Sequence, residues 1–165
     1  MNAHTSQFGV PAAPLIAAEG APHLRLPRAV WHELRAHGEE TYPHECCGAL
    51  LGKPAQESWR IEAVVRATNA HIDVARYEIA PAELVRIVHE ARGRGLEIAG
   101  FYHSHPDHPA QWSATDLEEA HWLGLSYVIT EVVAGNAETT HAWLLAGTSE
   151  EDKHFEAQEI RIEEC

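Results

Sequence analysis

The sequence predicts a single α/β domain, and three observations carry that expectation. Apolar or alternating stretches of strand length recur at 46–52, 58–67, 96–103, 126–133 and 139–145. Two segments with helical spacing lie among them, each opened by a proline, Pro27 and Pro81. No internal repeat and no linker divides the 165 residues, a length sufficient for one core.

The elements follow in order. Residues Met1 to about Pro22 are rich in Ala, Pro, Gly and polar residues without apolar periodicity. They read as a loose, flexible tail ahead of a domain at 23–165. From Pro27 to about His37, Val30, Trp31 and Leu34 are spaced for one helix face. Tyr42-Pro43-His44-Glu45 is a loop running into Cys46-Cys47-Gly48-Ala49-Leu50-Leu51-Gly52, whose length and composition fit a buried strand. Ser58 to Ala67 places Trp59, Ile61, Ala63 and Val65 on one face of a second strand. A loop through Asn69, His71 and Asp73 leads to the helix opened by Pro81, faced by Leu84, Val85, Val88 and Ala91 and ended by Gly93 and Gly95. Leu96 to His103 is a buried strand, Ser104 to Trp112 a polar loop, and Ser113 opens a helix reaching about Trp122. Strands at Ser126–Val133 and Thr139–Leu145 are joined by a Gly135-Asn136 turn. The stretch from about Phe155 to Ile162 is a candidate for one further strand.

Composition narrows the function classes. A net charge of −13 argues against nucleic acid and anionic membrane as partners, because both select basic surfaces. No apolar run approaches the ~20 residues of a membrane span, and no basic region followed by an apolar core marks a secretory signal. The three cysteines are Cys46, Cys47 and the last residue, Cys165. An odd count with two neighbours suits a reducing cytoplasm, the expected location, better than a disulfide scaffold. Cys46 and Cys47 read as core packing.

The pattern that carries chemistry is His103-Ser104-His105-Pro106, six residues, then Ser113-Ala114-Thr115-Asp116. Two histidines at i and i+2 on a strand end point to one side. Asp116, in the first turn of the next helix, can complete a shell of two imidazoles and one carboxylate. Such a shell suits Zn2+ and leaves the fourth tetrahedral position open, as in catalytic rather than structural sites. Glu45, where the loop enters the first buried strand, is the candidate general base. Ser113 is a candidate donor to the oxyanion of an attacked amide. Taken singly, paired histidines also occur as surface residues, and Ser-x-x-Asp is also an ordinary capping box.

Together, the stretch Glu45 to Gly52, Asn69, Pro81 and His-x-His-Pro-x6-Ser-x-x-Asp resemble the JAMM, or MPN-plus, zinc metallopeptidases, over roughly Leu24 to Ile162. The resemblance implies a curved mixed β-sheet flanked by helices on both sides, similar to cytidine deaminases. It implies that His103, His105 and Asp116 bind Zn2+, that Glu45 is the general acid and base, and that Ser113 supports the oxyanion. Its implied activity is hydrolysis of a peptide or isopeptide bond after the Gly-Gly tail of a ubiquitin-like protein. The stretch Ser104 to Ala110 and the compact size look like the stand-alone bacterial branch, whose members release small sulfur-carrier proteins.

Two other functions fit parts of the same residues. His103, His105, Asp107 and His108 also match the His-x-His-x-Asp-His ligands of metallo-β-lactamase-type hydrolases, although that fold is usually longer and needs further ligands downstream. A non-catalytic MPN interaction domain is the other, for which loss of the ligand set would be expected. His44-Glu45, His32-Glu33 and His89-Glu90 lack the second histidine of the His-Glu-x-x-His motif. No His-x-Glu with Pro-Cys-x-x-Cys marks a deaminase.

Overall fold

The computed structural model describes residues 23–55, 58–71, 73 and 75–164; the expected tail at 1–22 and Cys165 lie outside them. Among the described residues, seven strands and three helices follow in the order β1 (His23–Pro27), α1 (Arg28–Thr41), β2 (Cys47–Ala55), β3 (Ser58–Ala67), α2 (Pro81–Gly93), β4 (Glu97–Pro106), α3 (Ala114–Glu119), β5 (Ser126–Val133), β6 (Asn136–Ala146) and β7 (His154–Glu163). The sheet runs β1-β3-β2-β4-β5-β6-β7 and closes on itself, because β1 pairs in parallel with both β3 and β7. The β4–β5 pair is also parallel, and the remaining pairs are antiparallel.

The mixed sheet that the resemblance implies is therefore present, but it closes into a barrel-like ring rather than forming a curved sheet flanked by helices. The closing element is β1, Leu24 and Leu26 of which are fully buried. Five residues with two apolar positions give too short an alternation to register as a strand, and Pro27 ends β1 rather than opening the helix.

Both faces of the ring are covered, which explains the continuous burial of β2 and β4. Alternate residues feed two cores. Cys46 and Leu50 pack with Val30 and Leu34 of α1, while Cys47, Ala49 and Leu51 pack with Ile87 and Ala91 of α2. Helix α1 touches β1, β3, β4, β5, β6 and β7, so it lies within the ring. Gly38 permits this: a Cβ there would sit 3.0 Å from Val132 Cγ2 and 3.2 Å from Ser104 Cβ. Helix α2 lies on the other face, against β4.

Two boundaries differ from expectation where the site lies. β4 continues through Pro106 because its parallel partner β5 pairs with it as far as Pro106↔Val132. Ser104 and His105 are thus buried strand residues instead of loop. Helix α3 stops at Glu119, because Ala120 turns to extended backbone, and Trp122 lies beyond it. Among the described residues, no helix is long and apolar enough to cross a membrane.

Candidate metal centre

Period-two geometry brings His103 and His105 to the end of β4 on the face opposite α1. Their Nε2 atoms lie 3.1 Å apart. Asp116, at the start of α3, closes a triangle: its Oδ1 is 3.3 Å from His103 Nε2 and its Oδ2 3.1 Å from His105 Nε2. The two Asp116 distances run to different carboxylate oxygens; with one donor atom taken from each residue, the three lie within 4.8 Å of one another, close enough to converge on one ion. Among the described residues, this is the one cluster of three such groups whose donor atoms could hold a metal ion.

The protonation states suit that role. His105 Nδ1 faces the Pro109 carbonyl at 2.8 Å. A carbonyl can only accept, so Nδ1 carries the proton and a neutral His105 turns the lone pair of Nε2 inward. His103 is buried and its ring stacks on Tyr77, with centroids 4.4 Å apart. Burial holds the His103 imidazole below its ordinary pKa despite the Asp116 charge, favouring the neutral form. Burial would raise the Asp116 pKa, but the two histidines outweigh it and hold the carboxyl well below the usual range. Burial alone would lower the His105 pKa, but Asp116 and the Pro109 carbonyl outweigh it and hold that imidazole above its ordinary value. A neutral His103, an ionised carboxylate and a His105 that must give up its Nε2 proton to a metal thus converge on one point.

Ser113 and Asp116 form the reciprocal capping box that begins α3. The Asp116 N–H donates to Ser113 Oγ at 3.0 Å, and the Ser113 N–H donates to Asp116 Oδ2 at 2.8 Å. The capping role and the candidate ligand role therefore reside in one carboxylate, and the Ser113 hydroxyl proton stays available to another acceptor.

Glu45 precedes β2 and is 4 % exposed. Burial is the main cause that pushes its carboxyl up to about 8; His105 opposes the shift and Asp116 adds to it, so it lies within electrostatic reach of the triangle. Its backbone is held on both sides. Cys47 pairs with His103 across β2 and β4, and the next residue out, Cys46, is tied to Ser104 by its N–H to Oγ at 2.8 Å. Asn69 Nδ2 donates to the Glu45 carbonyl at 3.2 Å and to the Arg76 carbonyl at 2.9 Å, while its Oδ1 accepts from the N–H groups of His71 and Glu78. Asn69, singled out in the sequence only through the resemblance, is thus the clamp between the loop after β3 and the Glu45 segment. Ser104 and Tyr77 were not foreseen; no local pattern marks contacts made across the sheet or from a loop.

His108 meets the His105 ring edge-on, with centroids 6.2 Å apart, while the Asp107 carboxylate is committed elsewhere. Asp107 Oδ2 accepts from the Tyr42 hydroxyl at 2.6 Å and its Oδ1 from the Ala134 N–H at 2.9 Å. The carboxylate thereby fastens the β4 end to the turn after β5. The structure does not bring together the four residues that a metallo-β-lactamase-type centre would need. Cys46 and Cys47 are buried and free, and burial pushes both thiols up to about 12, so neither is a ready thiolate.

A cavity of about 460 Å3 shares Tyr77 with the centre. Its walls include Ile79, Leu84, Phe101, Trp122 and Tyr127, with Glu78 and Glu119 among its polar groups. An Arg76–Glu119 ion pair joins the loop after β3 to α3.

Comparison with known proteins gives a family and named relatives. The model for prokaryotic homologues of the JAB domain matches residues 27–146. The chain is 37 % identical over 101 residues to a protein of Haloferax volcanii named desampylase, covering 61 % of this chain and 70 % of that one. It is 33 % identical over 107 residues to a probable TtuB-protein conjugate cleaving protease of Thermus thermophilus, covering 64 % and 68 %. A solved structure of a Salinibacter ruber protein superposes with a TM-score of 0.63 at 39 % identity, covering 83 % of this chain and 90 % of that one. One of a Desulfitobacterium hafniense protein gives 0.75 at 26 %, covering 86 % and 94 %.

Proposed function

This chain belongs to the family of prokaryotic JAB-domain homologues, and from that membership we propose that it is a Zn2+-dependent peptidase or isopeptidase. Its substrate in this proposal is an amide bond after the C-terminal Gly-Gly of a ubiquitin-like or sulfur-carrier protein. The observation that supports the chemistry most is the convergence of His103 Nε2, His105 Nε2 and the Asp116 carboxylate, whose donor atoms lie within 4.8 Å of one another, within electrostatic reach of a buried Glu45. The support for the substrate class is the company the chain keeps: one relative is named for cleaving TtuB-protein conjugates and another is named a desampylase.

His103, His105 and Asp116 would hold the zinc, which when bound acidifies a water and polarises the amide carbonyl. Glu45 takes the proton of the attacking water and gives it to the departing amine, a poor leaving group until protonated. The Ser113 hydroxyl, whose oxygen already accepts from Asp116, donates its own proton to the oxygen that gains charge on the attacked carbonyl. The cavity beside Tyr77 receives the tail that leads to the scissile bond. Its walls on that side of the centre are mainly apolar. The two free, buried thiols suit the cytoplasm as the place where this happens.

The test is cleavage. Purified protein is incubated with a ubiquitin-like carrier bearing a short peptide after its Gly-Gly, and the products are weighed by mass spectrometry. Release of the carrier ending in Gly-Gly, abolished by a chelator and restored by added Zn2+, is the expected result. Cleavage that persists after complete metal removal would contradict the mechanism.

A further inference from the structure

Helix α3 supplies Asp116, yet it has only six residues and none of them is buried. A helix that short does not hold itself together in water, so its position depends on the packing of Leu117 against the core and on ties at its ends. The N-terminal end has the Ser113 capping box. The C-terminal end is gripped by Lys153, from the loop between β6 and β7. Its Nζ donates to the Glu118 carbonyl at 3.0 Å and the Ala120 carbonyl at 2.8 Å, and it pairs with Glu150 Oε2 at 2.7 Å. All three ammonium donors are thus engaged, and the side chain is 9 % exposed. These carbonyls end the helix and lack intrahelical partners, so a cation there satisfies them and complements the helix dipole.

The loop that presents Lys153 is itself braced. Asp152 Oδ1 accepts from the N–H groups of Thr148 and Ser149 at 2.9 and 2.7 Å, and Oδ2 accepts from the Thr148 hydroxyl at 2.9 Å. The other oxygen of Glu150 meets His121 Nδ1 at 2.9 Å, just past α3. A rigid turn therefore delivers one buried ammonium to the end of the helix opposite Asp116.

We propose that Lys153 is a positioning residue for the metal centre: it fixes α3 so that the Asp116 carboxylate stands at ligand distance from the two histidines. This rests on the zinc site proposed above. Without Lys153, α3 keeps its cap, the Leu117 packing and the Arg76–Glu119 pair but loses the contact that satisfies its terminal carbonyls, and Asp116 spends less time in register with His103 and His105. The cost falls on metal affinity, in the range of about 10–100-fold seen when groups supporting a ligand are removed.

The test measures Zn2+ dissociation constants by competition with a chromophoric chelator, for the full chain and its Lys153→Met and Lys153→Arg variants, well below their melting temperatures. Visible spectra of the Co2+-loaded proteins report the geometry of the ligands. Lys153→Met should bind Zn2+ at least about tenfold more weakly and shift the Co2+ absorption, and Lys153→Arg should restore most of both. A purely structural role would lower the melting temperature and leave affinity and spectrum unchanged, which would overturn the inference. Should Lys153→Met fail to fold, Asp152→Asn loosens the same turn and should weaken Zn2+ binding in the same direction; unchanged affinity there would also overturn it. Zn2+ binding by wild type and equally by Lys153→Met would defeat this inference alone. Absence of Zn2+ binding by wild type would defeat the proposed metal site and this inference with it.

Discussion

Cys46 and Ser104 hold each other in both directions: the Cys46 N–H donates to Ser104 Oγ at 2.8 Å, and the Ser104 N–H donates to the Cys46 carbonyl at 3.2 Å. Each is a direct neighbour of a candidate functional residue, Glu45 on one side and His103 and His105 on the other. Replacing Ser104 by Ala leaves a buried amide without its acceptor, at a cost of about 1–3 kcal/mol. Urea unfolding of metal-free Ser104→Ala should show that loss. Turnover should fall further than the stability loss explains, since the Glu45 segment loses one of its ties. A variant with wild-type stability would show that water replaces the hydroxyl.

Glu45 should be needed for turnover and not for metal. Glu45→Gln keeps the shape and removes the base. The expected loss in turnover is at least about 100-fold, the low end for a positioned acid–base group, with zinc content equal to that of wild type. Metal analysis of the same preparation checks the second half. Zinc loss in this variant would make Glu45 a ligand instead.

The same residue makes a pH prediction for metal-free protein. Burial pushes the Glu45 carboxyl up to about 8 in the folded chain, against 4.5 for the free group. Between those values the native state holds more protons than the unfolded state, so stability falls as pH rises. Glu45→Gln has no proton to lose. Its urea midpoint, measured in chelator, should therefore gain on that of wild type between about pH 5 and pH 8. A gap that does not change with pH would show Glu45 to be ionised in the fold at low pH already.

Asp107→Ala should keep the metal. That carboxylate is committed to the Tyr42 hydroxyl and the Ala134 N–H. The variant should lose stability where β4 meets the turn after β5 and retain its zinc. Loss of zinc from both Asp107→Ala and His108→Ala would favour the metallo-β-lactamase-type ligand set.

The strands with long patterns were legible in the sequence. Ser58–Ala67 and Ser126–Val133 lie where their apolar residues predict, and Pro81 opens α2 as expected. What escaped was decided by partners far along the chain. β1 has two buried leucines and becomes a strand only because β3 and β7 lie on either side of it; it converts an open sheet into a ring. The β4 end at Ser104-His105-Pro106 is polar, so periodicity stops at His103, while pairing to β5 carries the strand on. The spacing of His103, His105 and Asp116 was readable because a strand period and a helix cap are local rules. Tyr77 on His103, Ser104 on Cys46 and Lys153 on α3 are not, since each spans a loop or the sheet.

Metal content tests the central claim most directly. Wild-type protein and His105→Ala, purified alike without chelator, are assayed for zinc by mass spectrometry of the metal. His105 is held by Pro109 so that Nε2 faces His103 and Asp116, and its loss removes one of the three donors. The account predicts about one zinc per chain in wild type, as expected for a single set of three protein ligands, and almost none in the variant. Equal zinc in both, or none in wild type supplied with Zn2+, would contradict it.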